Sequence, residues 1–102
     1  MRRAEVYQQG KLAGMLEELE GARWRFTYAE SYAGQPVSLT MPVAGQIYEF
    51  DRFPSVFEGL LPEGIQLEAM LRRYKLDRSD LFGQLVVAGQ DLVGSLTVKE
   101  VE

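Results

Sequence analysis

Phe50-Asp51-Arg52-Phe53-Pro54-Ser55-Val56-Phe57-Glu58-Gly59-Leu60-Leu61-Pro62-Glu63-Gly64 divides the chain, with strand patterns before it and mostly helix patterns after it. Its fifteen positions hold three aromatics, two prolines and two glycines. Proline removes backbone donors and glycine loosens the chain, so this mixture fits neither a regular strand nor a long helix. It reads as a fixed, irregular connector. Within it, Pro54 to Leu61 holds about two turns of helix: proline is tolerated in the first turn, and Pro62 disfavours helical dihedrals in the residue before it. Val56, Phe57, Leu60 and Leu61 then share one apolar stripe.

Upstream, the pattern is of short strands. Ala4 to Gln8 and Lys11 to Leu19 form a hairpin about a tight turn at Gln9-Gly10. In the second of these strands neither parity is cleanly polar, and Gly14 marks a candidate bulge. After a turn at Gly21-Ala22, Trp24, Phe26 and Tyr28 alternate with Arg23, Arg25 and Thr27, which puts the aromatics in the core and the arginines towards solvent or a partner. Ala29 to Gln35 is too short for more than a turn of helix. Pro36-Val37-Ser38-Leu39-Thr40-Met41-Pro42 reads as an extended edge or crossing segment, since prolines are kept out of central strands. Ala44-Gly45-Gln46 turns again, and Ile47 to Phe50 pairs briefly.

Downstream of Gly64, Leu67, Met70, Leu71 and Tyr74 recur at helical spacing, with Glu68, Arg72, Arg73 and Lys75 facing away, so the Leu67 stripe is expected to face the core. Asp77, three residues before Asp80, resembles a capping box, and Leu81, Phe82, Leu85 and Val86 make the next stripe until Gly89 ends it. Asp91 to Val101 returns as a strand, with Leu92, Leu96 and Val98 among its apolar positions. The expected fold is a single α+β domain over residues 1–102: a small antiparallel sheet of about five strands with two or three helices packed on one face.

Composition narrows the function. A chain of 102 residues buries roughly 65% of its unfolded surface and folds without metals or disulfides. It has no cysteine and no histidine, which removes thiolate chemistry, imidazole acid–base work and the usual zinc sets. A formal charge of −4 argues against a direct nucleic-acid footprint, and Arg72 with Arg73 is a pair rather than a basic patch. No apolar run approaches the ~18 residues of a membrane span, and Met1-Arg2-Arg3-Ala4-Glu5 lacks a signal-peptide core, so a cytoplasmic protein is expected.

Four blocks now stand in order: Pro36 to Pro42; Phe57-Glu58-Gly59-Leu60-Leu61-Pro62-Glu63-Gly64; Asp80-Leu81-Phe82-Gly83; and Gly89-Gln90-Asp91-Leu92-Val93-Gly94-Ser95-Leu96. Together they resemble the N-terminal subdomain of HipA-type serine/threonine kinases. In that family the subdomain precedes a larger kinase core that binds ATP and magnesium, and the whole chain is a toxin restrained by the DNA-binding antitoxin HipB. Taken as a complete chain, the sequence is similar to the HipS-type small antitoxins of tripartite HipBST systems, whose kinase, HipT, is a separate protein. The resemblance implies a non-enzymatic antitoxin without cofactors that binds and inhibits a HipT-like kinase, with a HipB-like protein as third partner. The alternative is an activating or scaffolding subunit that completes a split kinase. Kinases of this family act on aminoacyl-tRNA synthetases, which implies translation control.

Among individual residues, neither Gly83 nor Gly89 with Gly94 supplies the glycine-rich loop and basic residue of a phosphate cradle. Asp51, Glu58 and Glu63 are read as surface carboxylates rather than an acid–base pair. Trp24, Phe26 and Tyr28 are read as core rather than a base-stacking platform. Ile65 is sharper: at 100° per residue it falls about 160° from the Leu67 stripe and points outward. A branched apolar residue at a helix start suits an anchor for a pocket on a partner, although single exposed apolar residues are also ordinary. The candidate kinase-binding residues are therefore Pro62, Glu63, Gly64 and Ile65, with Arg23 and Arg25 as further candidates.

Overall fold

The computed structural model describes residues 1–89 and 96–101. Strands β1 (Arg3–Gln8), β2 (Lys11–Glu18), β3 (Trp24–Tyr28), β4 (Ile47–Phe50) and β5 (Leu96–Val101) form one antiparallel sheet. Their order across it is β4-β3-β2-β1-β5. Helices α1 (Ser55–Glu58), α2 (Gly64–Tyr74) and α3 (Leu81–Ala88) lie between β4 and β5 in the chain. The α+β arrangement agrees with the sequence pattern. Residues 90–95 and 102 lie outside the described residues, and with them the expected strand start at Asp91, Leu92, and the Gly94 and Ser95 of the fourth block.

The hairpin is set by its turn. Gln9 and Gly10 take φ of 51° and 80°, the two left-handed residues that let a two-residue connection follow the twist of the flanking strands. Across β1 and β2, Val6 faces Gly14 while Tyr7 faces Leu12, so Ala13 is the extra residue of a bulge. The bulge switches the inward parity, and Ala13 and Leu16 are both buried although three residues apart. This is why neither parity of β2 reads as polar.

One face of the sheet holds the core. Trp24, Phe26 and Tyr28 all point into it. Trp24 stacks on Phe82 of α3 at 5.5 Å between centroids and meets Phe53 edge-on at 5.0 Å, while Phe26 lies 5.8 Å from Phe57 of α1. Aromatic pairs at such separations add about 0.5–1.5 kcal/mol beyond area burial. Val98 and Leu85 close the β5 side.

Three expectations are corrected. Pro36 to Pro42 is not extended: Met41 N donates to Ser38 O at 3.0 Å, closing a turn. The cause is Tyr28, whose hydroxyl accepts from Val37 N at 3.0 Å and donates to Met41 O at 2.5 Å. An extended chain would hold those groups roughly 13 Å apart. Secondly, the cap of α3 is Asp80 itself, whose Oδ1 accepts from Gly83 N at 3.1 Å, while Asp77 contributes only its carbonyl. Thirdly, the α2 stripe is only partly core: Leu71 is buried, Leu67 and Met70 are half-buried, and Tyr74 is 48% exposed with the Arg73 guanidinium over its ring. Phe53, Phe57 and Phe82 already fill the inner face of the sheet, which leaves α2 at its margin.

Candidate partner-docking surface

After α1, Leu60 N and Leu61 N bond back to Phe57 O and Glu58 O at 3.1 Å, and the two leucines pack against the core. Pro62 is half-buried behind them. This anchors one end of the connector. Glu63 is extended at φ −129° and ψ 165°, and Gly64 then takes φ of 60° to start α2. A Cβ on Gly64 would meet nothing within 4 Å, so glycine is favoured there by the left-handed backbone and not by space.

Glu63 occupies the N-cap of α2, yet its side chain makes no capping bond. Its carboxylate is exposed and takes part in no ion pair among the described residues. Ile65 follows at 88% exposure, as the helical wheel required. Together Glu63 and Ile65 present a charged acceptor beside a branched apolar side chain, on a segment whose start is fixed by Leu60, Leu61 and Pro62.

Arg23 and Arg25 are not part of that group. Arg25 points away from the face that holds Phe57, and its Nε lies 3.5 Å from Glu17 and its Nη1 3.8 Å from Glu49. Arg23 lies 3.6 Å from Glu49. With Arg3 opposite Glu17, the charges alternate in sign across β4, β3, β2 and β1. Exposed pairs of this kind are worth about 0–1 kcal/mol each, and they occupy the arginines within the chain.

A cleft of about 550 Å³ opens at the Trp24 end of the sheet, lined among others by Arg2, Asp51, Arg52, Phe53 and Asp80. Arg2 is spent there on its neighbours. It bridges Glu18 at 3.0 Å and Asp80 at 2.9 Å and lies 4.8 Å above the Phe82 ring. The Glu18 hydrogen bond raises its pKa above the ordinary guanidinium value and, reciprocally, holds the Glu18 carboxyl below its own. Among the described residues no group of three His, Cys, Asp or Glu side chains could hold a metal ion, and no helix is long and apolar enough to cross a membrane.

The family pattern of the HipA N-terminal domain matches residues 4–99. The chain belongs to the HipA N-terminal domain family. A solved structure described as the N-terminal domain of HipA toxin superposes on it with a TM-score of 0.78 and 28% sequence identity, covering 100% of this chain and 94% of that one. An uncharacterized protein of Haemophilus influenzae is 28% identical over 100 residues, which is 98% of this chain and 93% of that protein. The family and structural matches are to the HipA N-terminal domain and not to a kinase domain, and the family relation supports a toxin–antitoxin setting. One feature of this HipA N-terminal domain carried no weight in its sequence pattern. Leu39 is 94% exposed. Its signal was a lone large apolar residue between two hydroxyl residues in a stretch bracketed by prolines.

Proposed function

We propose that this HipA N-terminal domain is a non-enzymatic antitoxin: it docks onto a separate HipT-like serine/threonine kinase in the cytoplasm and lowers its activity. The observation that carries this reading is Ile65, exposed at the start of α2 beside the uncommitted carboxylate of Glu63. Such a side chain fills an apolar pocket, and the carboxylate meets basic groups around it. Inhibition then requires only occupancy of a cleft or a bias between kinase conformations, and no chemistry from the inhibitor. That suits a chain without cysteine or histidine. A HipB-like DNA-binding protein completes the assembly, and at a net charge of −4 this chain meets DNA only through it.

The partly covered stripe of α2 favours a second reading, in which the domain is an activating or scaffolding subunit that packs α2 against the kinase and completes it. Adding the purified domain to the kinase and following phosphate transfer separates the two. Activity falls for an antitoxin and rises for a completing subunit; no change at saturating concentration overturns both.

A further inference from the structure

We propose that α2 opens as a unit of its own while the sheet, α1 and α3 stay folded, and that the kinase which receives Ile65 holds it closed. The second half rests on the docking function above; the first concerns the domain alone.

The two longer helices are attached in different ways. α3 buries Phe82, Gln84 and Leu85 and is capped by Asp80, whereas α2 buries Leu71 alone and its N-cap Glu63 makes no side-chain bond. Among the described residues, the core built on the sheet contains no side chain of α2, not even Leu71. The one side-chain hydrogen bond that leaves α2, again among the described residues, comes from Arg78 to Glu68, and both of these side chains are exposed. Exposed ion pairs hold little. A helix shorter than about 12–15 residues is marginal in water unless an apolar face is packed. At eleven residues with one buried side chain, α2 belongs to the least stable part of the fold.

Both ends of α2 suit such an opening. Gly64 turns the chain into the helix at φ 60° with open space around it, so the entry can pivot without a clash. At the far end Lys75 stops the helix at φ 55° and ψ 47°, a left-handed conformation that disfavours a residue with a Cβ and that opening relieves. Glu63 and Ile65 flank Gly64, so their placement side by side exists only while the first turn of α2 is formed. The closed helix is therefore the binding state, and a kinase that takes up Ile65 draws the population towards it.

Hydrogen exchange read by mass spectrometry, at urea concentrations below the global transition, tests both halves on the whole chain, free and with a purified HipT-like kinase from the same source. In the free domain the amides of residues 67–74 are expected to exchange at least about a hundredfold faster than those of α3 and β3, after correction for intrinsic rates. Their urea dependence should also be shallower, because less surface opens. Kinase at about a hundred times its calorimetric Kd is expected to slow α2 roughly a hundredfold, the factor for a ligand that binds only the closed form. Leu71→Ala is expected to speed α2 exchange further while Trp24, the chain's single tryptophan, keeps its native emission. Protection of α2 equal to that of α3 and β3 in the free domain overturns the proposal, and so does a Leu71→Ala variant in which Trp24 emits as in the unfolded chain. Kinase that binds but leaves α2 exchange unchanged overturns the hold on α2 and leaves the docking function standing. No binding by the wild-type domain overturns the docking function and the second half together, and the exchange of the free domain still decides the first.

Discussion

Ile65 and Trp24 are both large and apolar, and their substitution separates binding from folding. Ile65→Asp places a charge where the side chain already stands in water, so the melting temperature should not fall while the complex with the kinase weakens by about 2 kcal/mol or more. Titration alongside circular dichroism checks both halves; an unaltered affinity removes Ile65 from the docking surface. Trp24→Ala empties the site between Phe53 and Phe82 and is expected to cost roughly 3–5 kcal/mol in urea denaturation. A loss below about 0.5 kcal/mol, the level of an ordinary surface change, would contradict its place in the core. The directions of both side chains were legible in the sequence, because strand parity and the helical wheel depend on the local backbone alone. Tyr74 was not legible: the wheel states which way a side chain points, and not whether another element stands there to cover it.

Elements were legible where local chemistry decided them and obscure where tertiary contact did. The Gln9-Gly10 hairpin, the aromatic strand β3 and the apolar run of α3 each follow from a few neighbouring residues. The turn at Ser38 to Met41 follows from Tyr28, ten or more positions away, and nothing within Pro36 to Pro42 announces it. The candidate docking segment was legible as a helix start after Gly64, whereas the pairing of Arg23 and Arg25 with Glu17 and Glu49 depends on which strands lie side by side. The bulge of β2 falls between these cases, since Gly14 flagged it and Ala13 supplies the extra residue. Gly14→Ala tests it. The added Cβ would lie 2.3 Å from Thr27 O and 2.7 Å from Phe26 Cζ, so β2 and β3 must separate. Overpacking of this kind costs about 1–3 kcal/mol, to be read from the urea midpoint. A neutral result would mean that the bulge relaxes and that Gly14 is not needed for close approach of the two strands.

Across the whole molecule, Arg2 joins parts distant in the chain: it holds Glu18 at the end of β2 and Asp80 at the start of α3, with its guanidinium over Phe82. Arginine keeps its charge at any pH the fold survives, so the acid dependence of the Arg2–Glu18 pair comes from the Glu18 carboxyl. The Glu18 carboxyl is held below its ordinary 4.5, first by the Arg2 side-chain hydrogen bonds and further by the Arg2 backbone N–H. Between the folded and ordinary values the unfolded chain binds the proton and the folded chain does not. The stabilisation from Glu18 is therefore complete above 4.5 and disappears as pH falls through the lower, folded value. Glu18→Gln removes the titrating group but leaves Asp80 in place, so subtracting its stability from that of the wild type isolates Glu18. That difference should be largest near pH 7 and should shrink steadily as urea unfolding is repeated from about pH 5 to about pH 2. A difference independent of pH would mean that Glu18 acts by shape or by a neutral hydrogen bond, and that its charge adds nothing to the hold of Arg2 on the end of β2.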